Sequence, residues 1–166
     1  MRAEGADPRP SGVRTFGSRL CFVCGQENPG GLALRFAVDG AGRAEALWRT
    51  AATSQGFAGV VHGGVVLAVL DEAMWYAAYG QGGVVMTAEA KVRYRWRVEV
   101  GSDVRACGTV VQRKGRLWEC EARLEAVASG LTLAVATGRF LEAPPEDVRR
   151  LAAETQVHEL PRVLQA

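Results

Sequence analysis

The stretch that decides the fold starts at Val60-Val61-His62-Gly63-Gly64 and continues to Tyr79. After the His-Gly-Gly turn the sequence is apolar on every side, and only Asp71 and Glu72 interrupt it. A helix that is apolar all round belongs in the interior of a protein. A carboxylate in such a place is costly unless it is paired or used. The stretch therefore predicts a buried central helix, residues 64–79, that carries an active-site acid.

Alternating sequence on both sides of this helix predicts antiparallel strands with one dry face. Asp39-Gly40 indicates a hairpin before the helix. The predicted strands are 32–38, 44–50, 84–100, 104–112, 117–128 and 131–141, and a short terminal helix is predicted from 146 to 155. The helix at 64–79 is the only element apolar enough for these strands to wrap. We therefore predict an α+β fold, a curled antiparallel sheet around a central helix, which is the architecture of the hotdog fold.

Composition narrows the class of protein. The 166 residues include 23% charged residues and have a net charge of +2, which gives no global case for nucleic-acid binding. No apolar run reaches the roughly 20 residues that a membrane helix needs, and the N-terminal sequence lacks an apolar signal segment. We expect one cytosolic domain at 19–143, a flexible tail at 1–18, and a helix and tail at 144–166.

Four cysteines raise the question of a metal site. Cys21-Phe-Val-Cys24 has the spacing of half a zinc site, whereas Cys107 and Cys120 lie singly in strand-like sequence. A structural zinc ion takes four ligands, and a second pair at this spacing is missing. We therefore predict no metal, and interpret the cysteines as small buried thiols in a reducing compartment.

The helix motif carries a resemblance to a known family. His62-Gly63-Gly64, with Asp71 nine positions after the histidine, resembles the helix motif of hotdog acyl-CoA thioesterases, especially the PaaI-type and 4-hydroxybenzoyl-CoA thioesterase group. The segments 21–32 and 87–94 resemble an N-terminal signature and the strand after the helix in that superfamily. The similarity covers about residues 20 to 142. Family members often have Asn or Gln about six residues before the histidine, where this chain has Gln55 beside Gly56.

Glycines at a helix start suit the polarisation of a carbonyl group. Gly63 and Gly64 have no side chains, so a substrate oxygen can approach their N–H groups closely. The helix N-terminus also favours developing negative charge. The resemblance implies that the Gly63 N–H is the oxyanion contact, with Asp71 as general base or nucleophile. It also implies that Thr87 contacts the attacking water or the carboxylate, although a plain strand threonine remains open.

For His62, Glu72 and the arginines, two interpretations stay open. His62 either fixes the turn by hydrogen bonds or takes part in catalysis. Glu72 is a paired or rim charge, or the reserve base if Asp71 faces the wrong way. Arg93, Arg95 and Arg97 either meet the phosphates of coenzyme A or lie on a solvated sheet face. Gln55 is the candidate substrate contact in the loop before the histidine. Four aromatic residues are expected in the core or in the wall of an acyl pocket: Trp75, Tyr76, Tyr94 and Trp96.

The spacing of Gly63 and Asp71 predicts the assembly. Eight residues of helix give about 12 Å of rise and a rotation of roughly 80°. One chain is therefore not expected to bring both groups to one thioester, whereas two chains with antiparallel helices can do so. The resemblance agrees, because hotdog enzymes place their active sites at a dimer interface. We predict a homodimer, with a tetramer of two dimers as an extension.

Together these features predict an acyl-CoA thioesterase for small or medium acyl groups. Coenzyme A enters only as part of the substrate, and no other cofactor is expected. Two alternatives stay open, a non-catalytic protein that binds acyl-CoA or another small ligand, and a hotdog hydratase or dehydratase. Fold alone does not decide between these functions.

Overall fold

One antiparallel sheet of six strands wraps one long helix in the computed structural model, which describes residues 18–39 and 41–149. The helix α1 is Gly63–Gly80, and a short 3-10 turn at Ala52–Ser54 precedes it. The strands are β1 Ala37–Val38, β2 Ala44–Arg49, β3 Val85–Tyr94, β4 Asp103–Lys114, β5 Leu117–Ala126 and β6 Thr132–Glu142. Their order in the sheet is β1-β2-β4-β5-β6-β3. The predicted α+β hotdog fold is confirmed.

The helix α1 contacts all six strands, and its inner side is fully buried. Its buried residues are Val66, Val69, Leu70, Ala73, Met74, Tyr76, Ala77 and Ala78. Gly108 of β4 lies directly under the helix, because a Cβ there would stand 2.1 Å from the carbonyl oxygen of Ala73. The absent side chain of Gly108 therefore sets how closely the helix and the sheet approach.

The predicted strand 84–100 is wrong in its second half, since β3 ends at Tyr94. Its partner β6 begins at Thr132 and pairs Ala134 with Tyr94, so no ladder is available beyond that point. The carbonyl of Leu133 accepts from both Arg95 N and Trp96 N, and the chain then leaves the sheet. Further on, the carbonyl of Val98 accepts from Val61 N at 2.9 Å, next to the start of α1.

The predicted strand 32–38 is also too long, since β1 contains only Ala37–Val38. Ala33 has a φ of 52°, a left-handed conformation that interrupts an extended strand. Leu32 N and Leu34 N donate instead to the carbonyls of Phe22 and Val23, so this segment pairs with the N-terminal loop.

The remaining elements lie close to their predicted positions. The hairpin at Asp39 is present, where the Asp39 side chain accepts from Ala41 N and Arg43 N. Residues 145–149 are helical, which agrees with the start of the predicted terminal helix, and the rest of that helix lies outside the described residues. The predicted tail likewise falls there except for Ser18, and the division into domain and tails stays a prediction. Over the described part of the chain, no helix is long and apolar enough to cross a membrane.

The contact between Gly108 and Ala73 predicts a stability effect. Gly108→Ala places a methyl group in the backbone of α1, so the helix or β4 must shift, and we expect a loss of about 1–3 kcal/mol in the free energy of unfolding. Urea denaturation measures this loss. Gly30→Ala is the matched control, because its Cβ would meet only Asn28 Oδ1 at 3.7 Å. Equal stability of Gly108→Ala and the wild type would contradict this packing.

Candidate active site

The start of α1 leaves one backbone donor without an acceptor. His62 is the N-cap residue, and its Nδ1 accepts from Gly64 N at 2.9 Å. The carbonyl of His62 accepts from Val65 N at 3.0 Å and from Val66 N at 3.2 Å. Within residues 18–39 and 41–149, the Gly63 N–H donates to no acceptor. The helix thus presents a single available N–H at its positive end.

The turn around this donor is closely packed and carries little side-chain bulk. The Tyr94 hydroxyl donates to the Gly63 carbonyl at 2.7 Å, and a Cβ on Gly63 would stand 3.1 Å from that hydroxyl oxygen. A Cβ on Gly56 would lie 3.2 Å from His62 Cα. Gln55 is exposed, and its Oε1 accepts from Gly59 N at 3.3 Å, so it braces the loop that leads to the turn.

Asp71 and Thr87 meet where α1 passes the start of β3. Thr87 Oγ1 lies 3.0 Å from Asp71 Oδ1 and 3.1 Å from Oδ2, and it donates to this carboxylate. A bulge in the pairing of β3 with β6 between Thr87 and Glu89 shifts the register here, and such bulges re-aim side chains. Burial raises the pKa of Asp71, while the hydrogen bond from Thr87 opposes the rise. The exposed Thr87 leaves the half-buried carboxylate within reach of water.

Glu72 faces a different neighbourhood from Asp71. The Cys21 Sγ lies 3.6 Å from Glu72 Oε1, and the Cys24 thiol also interacts with this carboxyl. Burial raises the pKa of Glu72 to about 8, and the charge of Cys21 adds to the rise. The structure therefore groups Glu72 with the N-terminal cysteines and leaves Asp71 with Thr87. Adjacent helical residues point about 100° apart, which explains the separation.

The free edge of the sheet carries the basic and aromatic candidates. Arg93 and Arg95 are exposed, and over the described residues neither forms an ion pair. Tyr94 and Trp96 are 49% and 60% exposed, so they lie outside the core of the single chain. Tyr76, in contrast, is buried and stacks on Phe36 with ring centroids 4.7 Å apart. Trp75 is half-buried, and its indole N–H donates to the Val85 carbonyl at 2.7 Å.

Sequence reasoning missed two contacts of this region. Tyr94 was expected in the core or a pocket wall, but its hydroxyl holds the first residue of α1. The contact of Glu72 with Cys21 also went unnoticed, since 51 residues separate the two positions. Neither contact leaves a local pattern in the sequence, because both join distant segments through the tertiary fold.

The two polar parts of the site belong to one unbroken helix. Gly63 and Asp71 both lie in α1, and eight residues of helix separate them by about 12 Å along the axis. The available N–H and the Asp71–Thr87 pair are therefore too far apart to act on one thioester carbonyl within a single chain. A single chain therefore holds one available donor and one carboxylate that lie apart on the same helix.

Comparison with known proteins identified one family model that matches part of the chain. Residues 58–133, which contain α1, β3, β4 and β5, match the model of the thioesterase superfamily. Comparison with curated protein sequences found no match.

Solved structures share the fold at low sequence identity. Protein RHA08564 of the thioesterase superfamily is 22% identical with a TM-score of 0.71, over 81% of this chain and 70% of that chain. The Escherichia coli PaaI protein of the phenylacetic acid degradation operon is 18% identical with a TM-score of 0.63, over 68% and 81%. The smu.793 protein of Streptococcus mutans UA159, bound to acetyl CoA, is 14% identical with a TM-score of 0.62, over 66% and 88%. The resemblance predicted from the sequence is confirmed: residues 58–133 match the thioesterase superfamily model, and the chain has the hotdog fold of these structures.

Proposed function

We propose that this protein is an acyl-CoA thioesterase, which converts an acyl-CoA and water into a carboxylic acid and free coenzyme A. The observation that carries the proposal is the available Gly63 N–H at the start of the helix that also holds Asp71 against Thr87. Thioester hydrolysis needs both parts, a donor for the carbonyl oxygen and a base or nucleophile for attack. The acetyl CoA bound to the fold neighbour smu.793 supports this class of substrate.

The Gly63 N–H receives the thioester oxygen. As water attacks the carbonyl carbon, negative charge develops on this oxygen, and an N–H at the positive end of a helix stabilises it. The neighbouring N–H of Gly64 is already bound by His62 Nδ1, so the donor role falls to Gly63. His62 is thereby a positioning residue that orients the turn, and Tyr94 fixes the same turn through the Gly63 carbonyl.

Asp71 activates the water. Its carboxylate takes a proton from the water, whose oxygen bonds to the carbonyl carbon. The tetrahedral intermediate then collapses, its carbon–sulfur bond breaks, and the expelled coenzyme A thiolate takes the proton from the Asp71 carboxyl, which restores the carboxylate. Thr87 holds both carboxylate oxygens and so limits their rotation. Direct attack by Asp71, with an acyl anhydride that water then opens, gives the same products and remains the second route.

The complete site needs two chains. The separation along α1 requires that Gly63 of one subunit meet the partner subunit's Asp71. The free edge of β3 suits such an assembly, because a long exposed strand edge with apolar side chains favours pairing with another chain. Met86, Tyr94 and Trp96 are the exposed apolar residues of this region. We therefore infer a homodimer with two equivalent sites, and pairing of two dimers would give a tetramer.

Arg93 and Arg95 are proposed to bind the phosphates of coenzyme A. Both guanidinium groups are exposed and, over the described residues, have no acidic partner, so they are available for a phosphate. The two arginines lie on either side of Tyr94 in the sequence, and the Tyr94 hydroxyl contacts the Gly63 carbonyl at the start of α1. In this proposal they hold the nucleotide end of the substrate at the free edge of the sheet.

Asp71→Asn removes the base and keeps the size of the side chain. We expect kcat for acyl-CoA hydrolysis to fall by about 10²–10⁴, the usual contribution of a positioned base. Release of free thiol from a panel of acyl-CoAs measures it, with Asp103→Asn as the control because Asp103 lies exposed at the start of β4. Full activity of Asp71→Asn would refute the role of Asp71. Ligand binding without thiol release from any acyl-CoA by the wild type would favour a binding protein.

Gly63→Pro removes the donor N–H at a position where helices accept proline. Proline is favoured at the first helical residue, and the extended backbone of His62, with ψ of 132°, suits the residue before proline. We expect kcat to fall by about 10²–10³, as for the loss of one oxyanion donor. Gly63→Ala is the matched control, because it adds bulk against Tyr94 but keeps the N–H. A similar kcat for both variants would contradict the role of this N–H.

The double variant Arg93→Gln/Arg95→Gln separates phosphate binding from catalysis. We expect KM for acyl-CoA to rise about tenfold or more, since a hydrogen bond to a charged group contributes about 1.5–3 kcal/mol. KM for the same acyl group on N-acetylcysteamine, which has no phosphates, should not change. Arg49→Gln is the control, because Arg49 already pairs with Asp103 at 2.7 Å. A parallel rise with both substrates would rule out phosphate binding by these arginines.

A further inference from the structure

We propose that Cys21, Cys24 and Glu72 bind one borderline-soft divalent metal ion such as Zn²⁺, which attaches the N-terminal loop to the middle of α1. The sulfur and oxygen atoms of the three side chains all lie within 4.8 Å of one another. The ion would leave one coordination position for water. This site is separate from the proposed thioesterase chemistry, and its existence does not depend on that function.

The backbone of the loop positions Cys21 as in one half of a zinc site. The N–H of Cys24 points at the Cys21 Sγ from 3.5 Å, and the N–H of Gly25 donates to the Cys21 carbonyl at 3.0 Å. A Cβ on Gly25 would stand 2.5 Å from both the N and the O of Cys21, so only glycine permits this turn. Backbone N–H groups directed at a sulfur favour the thiolate, which is the form that binds metals.

The rest of the N-terminal signature supports this turn and does not compete for the thiols. Asn28 Nδ2 donates to the Leu20 carbonyl at 3.0 Å, and Asn28 Oδ1 accepts from Gly30 N at 2.9 Å. The Leu32 N–H then closes the loop on the Phe22 carbonyl at 2.8 Å. The loop is therefore built before any metal arrives, and both cysteine sulfurs remain on the side that faces α1.

The helix supplies the third ligand, which the sequence alone did not reveal. Glu72 lies 48 residues beyond Cys24, yet its Oε1 stands 3.6 Å from the Cys21 Sγ. In a tetrahedral zinc site with Zn–S of about 2.3 Å and Zn–O of about 2.0 Å, a sulfur and an oxygen ligand are about 3.5 Å apart. The observed separation fits an ion between them with little movement.

The charges of the cluster favour a cation. Two thiols and a carboxyl share one part-buried place, and over the described residues no basic side chain forms an ion pair with Glu72. A part-buried carboxylate without a positive partner is unfavourable. A divalent ion neutralises the group, and two sulfur ligands select a borderline-soft metal such as zinc over magnesium or calcium.

Such an ion would steady the helical turn that carries Asp71. Glu72 follows Asp71 directly, so fixing Glu72 to the loop restricts the local rotation of α1. Three protein ligands and a water are also the arrangement of zinc sites that keep an open position. The ion attaches the loop to the helix, and no step of the thioester reaction passes through it.

Cobalt titration tests the site in the full-length protein, kept reduced and freed of metal with a chelator. We expect one Co²⁺ per chain and a near-ultraviolet thiolate-to-cobalt absorption band that Zn²⁺ abolishes by displacement. Cys21→Ser and Cys24→Ser should each weaken or remove the band. Glu72→Gln should keep a thiolate band but lower the cobalt affinity about tenfold or more, as expected for loss of one ligand. Cys107→Ser, a half-exposed thiol on β4, is the matched control and should behave as wild type.

Thermal unfolding with and without Zn²⁺ shows whether a variant has lost the metal site or has failed to fold. The wild type should gain stability with zinc because the ion binds only the folded form, whereas Cys21→Ser should unfold at its metal-free temperature in both conditions. Absence of the cobalt band in reduced wild-type protein would overturn the proposal. A band that persists in Cys21→Ser and Cys24→Ser but vanishes in Cys107→Ser would overturn it as well.

Discussion

The burial of α1 against the sheet is the constraint on which the rest of the molecule depends. The α1 backbone approaches β4 so closely at Ala73 that only Gly108 fits beneath it. A helix held in this way cannot slide or bend to bring its own groups together. The distance of about 12 Å between Gly63 and Asp71 is therefore fixed by the fold. Because the proposed chemistry needs both groups at one thioester, we infer that the enzyme is assembled from two copies of this chain.

Most of the fold could be predicted from the sequence, and the failures share a cause. Alternation marks β4, β5 and β6, and the apolar run marks α1, because each pattern reports burial within its own segment. The ends of β1 and β3 depend on other segments. Residues 95–100 alternate like a strand, but β6 continues for only two residues past Ala134, the partner of Tyr94. Residues 32–36 alternate as well, but they bond to the N-terminal loop.

The candidate site likewise combines features that are local in the sequence with features that depend on distant segments. The glycine turn and the acid at nine-residue spacing are local features, and they could be recognised in the sequence. The resemblance implied the Gly63 N–H as the donor, but the residues alone could not show why it stays available, because this depends on Gly64 N donating to His62 Nδ1. The sequence also could not assign Asp71 and Glu72 to different neighbours. That assignment comes from Thr87 on one side and Cys21 on the other, two segments that the fold brings to adjacent faces of one helix.

The different surroundings of Asp71 and Glu72 connect the two proposals. Asp71 is half-buried beside the exposed Thr87, whereas Glu72 faces two thiols of the N-terminal loop. If the loop binds an ion, the ion holds Glu72 on one side of α1. Asp71, on an adjacent side of the same helix, then takes part in the proposed hydrolysis. The exposed aromatic residues beside β3 then lie where a second subunit would cover them.

Activity of a mixed dimer tests the central claim, that each site takes Gly63 from one subunit and Asp71 from the other. A Gly63→Pro chain and an Asp71→Asn chain, each inactive by itself, are co-expressed with different tags and the heterodimer is isolated. In a symmetric dimer with shared sites, one of its two sites then has both groups intact. The account predicts about half of the wild-type activity. A heterodimer no more active than either parent would contradict it.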